Sequence, residues 1–146
     1  MPENAPELLI ANEHPSYDVD EAALERLARH VLAAEGVRWQ YVGIILTYHA
    51  TVLELNRTYL NHDYHTDVLS FDLSDEATPE RAGEVYVDLD TAAERHAEFG
   101  ASFEEEVRRY VVHGLLHLAG HDDATPAERA ALRALEDRYL AALSAE

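Results

Sequence analysis

Residues 113–123 read HGLLHLAGHDD, with three histidines and two aspartates set among leucine, alanine and glycine. The segment in front, SFEEEVRRYVVHGLLHLAG (102–120), predicts an amphipathic helix. Val107, Val111, Leu115 and Leu118 mark its buried side, and Ser102 with Glu105 has capping-box spacing at its start. His113 and His117 lie four positions apart. At about 3.6 residues per turn both rings leave one face, with Cβ atoms about 5–6 Å apart, the grip used by helical zinc sites. Gly120 then ends the helix in the left-handed position that favours glycine, and the chain turns back.

Zinc sites of the form H-x-x-x-H-x-x-G-x-x-H take their third ligand just after such a turn. The same spacing here selects His113, His117, Gly120 and Asp123. A carboxylate is an accepted zinc ligand, and three protein ligands leave the fourth position for water, as in catalytic sites. His121 is the rival third ligand: it is the better donor by type, but the spacing favours Asp123. In H-E-x-x-H proteases the residue after the first histidine is the general base; here it is Gly114, which argues against a protease. Asp122 is a candidate base or acid for the metal-assisted step. Arg109, one turn before His113, is a candidate for a phosphate beside the metal, with a salt bridge to Glu105 or Glu106 as its alternative.

Working outward, ELLIANEH (7–14) reads as a strand and DVDEAALERLARHVLAAEG (18–36) as a helix. That helix has Leu24, Leu27, Ala28, Val31 and Leu32 on one face, Asp18 as its cap and Gly36 at its end. YVGIILTYH (41–49) is an apolar strand and TVLELNRTYL (51–60) a short helix. TDVLSFDL (66–73) is a strand, SDEATPERAG (74–83) an acidic loop and EVYVDL (84–89) an alternating strand. DTAAERHAEFG (90–100) is a helix with Thr91 and Glu94 spaced as a capping box and Gly100 closing it. Thr125 and Glu128 repeat that spacing before AERAALRALEDRYLAALSA (127–145), the last helix. The order predicts an α+β fold: one domain over 1–146, a mixed β-sheet of about four strands, and about five helices covering it. The metal site falls at a helix C-terminus and the turn after it.

The chain has 146 residues, 47% of them hydrophobic, enough for one core. With no cysteine, any metal must be held by nitrogen and oxygen. The net charge is -18, from 29 acidic residues against 11 basic ones, all of them arginine. Such a surface repels nucleic acid at ordinary ionic strength and suits a high-salt interior, where repulsion is screened. No apolar run approaches the ~20 residues of a membrane span, and MPENAPELLIANEH lacks the pattern of a signal peptide, so the expected location is the cytoplasm with no membrane partner.

HGLLHLAGHDD closely resembles the H-G-x-L-H-L-x-G-Y-D-H signature of the YbeY family of bacterial metal-dependent endoribonucleases. LNRTYLNHDYHTDVLSFDL (55–73), GEVYVDLDTA (83–92) and EEEVRRYVVHG (104–114) are similar to the family's flanking segments, in the right order. The resemblance implies a zinc-dependent endoribonuclease specific for single strands, acting in rRNA maturation and ribosome quality control. It implies one Zn2+ per chain on His113, His117 and Asp123. It implies single-stranded RNA, precursor rRNA and the small ribosomal subunit as partners, and no DNA. Two positions depart from the signature. Asp123 stands for the third histidine, with His121 for the usual tyrosine, and Leu60 stands for an arginine assigned to RNA binding or catalysis, for which Arg57 or Arg109 are substitutes. The alternatives are a metalloprotease or other zinc hydrolase on the same site, and a ribosome-associated factor with structural zinc.

Further residues carry weaker expectations. Thr66 and Asp67 either support a ligand histidine or cap a turn. Ser70 has no base beside it in sequence, which argues against a serine nucleophile. His62, Asp63 and His65 form a polar loop near the cleft or a second metal site. His14, His30, His49 and His96 read as surface or packing residues.

Overall fold

The structure, a computed structural model, describes residues 6–60, 67–77 and 79–144. Its elements follow the expected order: β1 (Glu7–Asn12), α1 (Glu21–Glu35), β2 (Trp39–Thr47), α2 (His49–Leu60), β3 (Val68–Asp72), β4 (Arg81–Asp88), α3 (Leu89–Arg95), a 3-10 turn (His96–Phe99), α4 (Phe103–Leu118) and α5 (Pro126–Ser144). The four strands form one mixed sheet in the order β1-β2-β4-β3. β1, β2 and β4 run parallel, and β3 pairs antiparallel with β4, Val68 opposite Val87. No helix among the described residues is long and apolar enough to cross a membrane.

The alternation of the strands decides what is covered. Val42, Ile44 and Leu46 of β2 and Val85 and Val87 of β4 point to one face and are fully buried there. Leu24, Leu27, Ala28, Val31 and Leu32 of α1 and Val107, Val111, Leu115 and Leu118 of α4 complete that core. α4 packs on β3 and β4 and contacts α1, while α5 closes over α4 and α1.

Glycine permits the close approach of α4. A Cβ built on Gly114 would sit 2.4 Å from Val85 Cγ1, so the helix lies on the sheet at the residue after His113. Ser70 Oγ donates to the Gly114 carbonyl at 2.9 Å, which gives that hydroxyl a structural task.

Three local expectations are corrected. Asp20, not Asp18, caps α1, its carboxylate accepting from Ala23 N at 3.1 Å. Asp88, not Thr91, caps α3, and Thr91 N is the donor to it at 2.9 Å. β4 begins at Arg81, inside the stretch that reads as loop, because residues 81–83 find partners on β2 and Gly83 pairs with Asp72. The capping box of Ser102 and Glu105 forms as expected, and Thr125 and Glu128 exchange the same pair of bonds before α5.

At the carboxyl ends of the parallel strands, His14 Nε2 meets Asp90 Oδ1 and His49 Nδ1 meets Asp88 Oδ2, each at 2.8 Å. His14 Nδ1 accepts from the amides of Ser16 and Tyr17, so Nε2 carries its proton. These pairs tie the loops after β1 and β2 to the start of α3.

Candidate metal centre

α4 ends in a Schellman turn. Gly120, at φ 108, donates its N–H to the His117 carbonyl at 3.1 Å, and His121 N donates to Leu116 O at 3.0 Å. This turn reverses the chain and brings Asp123 back beside the two helical histidines. His117 Nε2 lies 3.0 Å from His113 Nε2 and 3.3 Å from Asp123 Oδ2, and His113 Nε2 lies 3.5 Å from the same oxygen. Bonds of about 2.0–2.1 Å directed to the corners of a tetrahedron put their donor atoms about 3.3 Å apart. The three atoms thus match one face of a zinc tetrahedron, and the group can hold a metal ion. All three side chains are half-buried.

The tautomer of His113 suits that use. Its Nδ1 lies 2.7 Å from Glu136 Oε2, and a carboxylate only accepts, so Nδ1 carries the hydrogen and a neutral ring turns its Nε2 lone pair toward the group. Burial opposes a charge on His113, but Glu136 outweighs it and holds the ring above the ordinary histidine pKa. Glu136 is 4% exposed, and its other oxygen accepts from Arg109 Nη1 at 3.0 Å. Glu136 was not among the residues expected from sequence. Its signal is a carboxylate on the apolar stripe of α5, between Leu132 and Tyr139, both buried.

Arg109 departs from the expected partners. It binds Glu136 and, at 2.6 Å, Asp137 on α5. Glu105 is held by the Ser102 cap at 2.9 Å, and Glu106 is buried at 3% exposure, which pushes its carboxyl up.

His113 and Asp123 open on a cleft of about 310 Å³. α4 contributes Glu106, Arg109 and Tyr110 to its lining, α5 contributes Arg129, Leu132, Arg133 and Glu136, and the α3 end and 3-10 turn contribute Arg95 and Phe99. Asp67 and Val68 line it as well, so Asp67 faces the cleft. His121 turns away: its Nε2 lies 2.6 Å from Glu35 Oε1 on α1, and Glu35 also accepts from the Tyr139 hydroxyl. Asp122 is exposed and lines a separate hollow with Leu135 and Arg138, so the structure does not bring it into the cleft. His62, Asp63, His65, Thr66 and the Leu60 side chain lie outside the described residues.

A His-His-carboxylate group at a helix end, on an α+β domain, has the donor set of a candidate catalytic metal centre. The model of the family described as Endoribonuclease YbeY matches residues 9–144, and the chain belongs to that family. It is 52% identical to an Endoribonuclease YbeY of Salinibacter ruber, covering 98% of this chain and 96% of the relative. A second, from Carboxydothermus hydrogenoformans, is 41% identical over 94% of this chain and 97% of its own. The solution structure of a Thermotoga maritima protein superposes with a TM-score of 0.62 at 28% identity, covering 93% of this chain and 88% of that one.

Proposed function

We propose that this chain is a zinc-dependent endoribonuclease that cuts single-stranded RNA during rRNA maturation and ribosome quality control. Its setting in this reading is the cytoplasm, with precursor rRNA on the small ribosomal subunit as partner. The observation that supports it most is the triangle of His113 Nε2, His117 Nε2 and Asp123 Oδ2, with edges of 3.0, 3.3 and 3.5 Å, on a chain whose relatives are named endoribonucleases. Nitrogen and oxygen donors at that spacing suit zinc.

His113, His117 and Asp123 would hold one ion per chain, and zinc bound there would supply positive charge near a phosphodiester oxygen and make a water more acidic. The chain's own residues prepare that site. Glu136 fixes the ring of His113, and Arg109 holds Glu136 in place as a positioning residue. Asp67 faces the same cleft, where it can orient a water or a substrate hydroxyl. Asp122 lines the neighbouring hollow rather than this cleft, and this reading assigns it no role.

The test is cleavage by metal-free protein before and after adding one equivalent of zinc. Zinc-dependent, chelator-sensitive cutting of single-stranded RNA, with duplex RNA, DNA and casein left intact, is expected. Cleavage of casein, or a zinc-loaded protein inert toward RNA, overturns the reading.

A further inference from the structure

Eleven arginines are the only fixed cations of a chain with net charge -18, and four of them, Arg95, Arg109, Arg129 and Arg133, line the one cleft that holds His113 and Asp123. Among the described residues its lining holds four carboxylates, which formally cancel the four guanidiniums, so a divalent ion would leave that described lining at +2 within an anionic protein. A hollow of about 170 Å³ continues the cleft toward the N-terminal half of α4 and adds Arg108. Arg133, on α5, and Phe99, in the 3-10 turn, border both spaces.

The arginines differ in how far they are already used. Arg109 is taken up by Glu136 and Asp137. Arg129 donates to the carbonyl oxygens of Asp123 and Ala124, at 3.2 and 3.3 Å, and is in no ion pair with a carboxylate among the described residues. Arg133 makes no hydrogen bond or close ion pair among the described residues, and its charge acts only at longer range on the buried Glu106 carboxyl. Arg129 and Arg133 are one turn apart on α5, so they share a face, the one that carries Glu136 toward the metal group. Phe99, in the 3-10 turn, is 51% exposed, an unusual exposure for its type, and Arg95 lies 5.5 Å from its ring centroid.

We infer that Arg129, Arg133 and Phe99 form the subsite for the RNA segment beside the cleaved phosphate, the two arginines holding its backbone and Phe99 stacking an unpaired base. The strand leaves the metal group along the groove between α5 and the 3-10 turn. Phe99 supplies a reason for single-strand preference, because a duplex keeps its bases stacked on one another and offers none to the ring. The inference rests on the ribonuclease reading and adds residues to it.

The experiment uses the full zinc-loaded chain and a fluorescent single-stranded phosphorothioate RNA, with affinity read by anisotropy over a salt series. Zinc content and Tm are measured in parallel. Arg129→Gln and Arg133→Gln are each expected to lower the slope of log affinity against log salt by about 0.7, the value for one phosphate contact on a single strand. Phe99→Ala is expected to weaken binding roughly tenfold with the slope unchanged, and an abasic nucleotide at the stacked position should abolish its difference from wild type. Arg26→Gln, an exposed arginine on α1 away from the cleft, removes the same charge and should leave the slope as it is. Zinc content should match wild type in all four. Unchanged slopes in both α5 variants, or an equal change in Arg26→Gln, sink the subsite. A wild type that neither binds nor cuts RNA fails the underlying reading, and the subsite falls with it.

Discussion

Glu136 Oε2 and His113 Nδ1 sit 2.7 Å apart, a bond between two helices that sets which nitrogen of His113 faces the metal group. Replacing such a partner usually costs about 10–100-fold in metal affinity. Glu136→Ala is therefore expected to weaken zinc binding by that factor, measured by competition with a chromophoric chelator. Glu136→Gln, whose amide oxygen can still accept from Nδ1, should recover part of the loss. Cobalt-substituted protein adds a check, since a rotated ligand ring changes the visible absorption of the ion. Equal zinc affinity in wild type and Glu136→Ala would remove the positioning role.

Two residues compete for the third ligand position, and their surroundings favour Asp123. Asp123 Oδ2 reaches both ligand histidines, whereas His121 is bound 2.6 Å from Glu35. Asp123→Ala should lose stoichiometric zinc at micromolar protein. His121→Ala should keep it and show a modest fall in Tm, because a tie between the Schellman turn and α1 is cut. Metal analysis after gel filtration decides the matter, and loss of zinc only in His121→Ala would reverse the assignment.

What the sequence made legible here is local. The pair His113 and His117 follows from the helical period, and the return of Asp123 follows from one glycine in a left-handed turn, both within eleven residues. The buried faces of α1 and α4 were readable for the same reason. What escaped depends on packing between distant segments. Glu136 lies 23 residues from His113, and Glu35 lies 86 from His121, so neither contact leaves a periodic trace. Caps were misplaced where two residues of capping chemistry stand close together. Asp18 and Asp20 are both suitable, and only the path of the chain from β1 chooses Asp20. The extension of β4 to Arg81 arises from pairing with neighbours on both sides, which an acidic Pro-containing stretch does not announce.

Gly114 was first of interest as the residue that lacks a protease base. Its packing shows a second constraint. An added Cβ would lie 2.4 Å from Val85 Cγ1, 3.1 Å from Val68 Cγ2 and 3.2 Å from Ser70 Oγ, so three side chains would have to give way. Overpacking of this kind costs about 1–3 kcal/mol. Gly114→Ala should lower the Tm of the metal-free protein by several degrees despite the better helix propensity of alanine. A variant as stable as wild type would mean that α4 can lift from the sheet at no cost.

Asp90 gives a pH dependence of known sign. Burial disfavours its charge, but the His49 amide at 2.9 Å and the His14 ring at 2.8 Å outweigh this and hold its carboxyl below the usual aspartate value. A pKa depressed by folding adds stability above the unfolded value, near about 3.9, and that stability is lost as pH falls through the folded value. Asp90→Asn should therefore be less stable than wild type at pH 7. The gap should close as both are acidified below pH 4, as read from urea midpoints. A gap that widens with acid would show that the carboxylate is not what the loop holds.

The charge of the whole chain predicts how it responds to salt. With 29 acidic residues against 11 arginines, the folded state concentrates like charges that the unfolded chain spreads apart. Raising sodium chloride from 0.1 to 1 M shortens the Debye length from about 10 to about 3 Å and screens most of that repulsion. The Tm of the zinc-loaded protein is expected to rise by several degrees, with most of the gain below 0.5 M, where screening changes fastest. RNA affinity should move the opposite way, because every phosphate contact releases counterions. Activity should thus pass through a maximum in salt: too little leaves the fold strained by its own charge, too much weakens substrate binding. A Tm flat across the series would show that the acidic surface does not strain the fold, and activity should then fall steadily with salt.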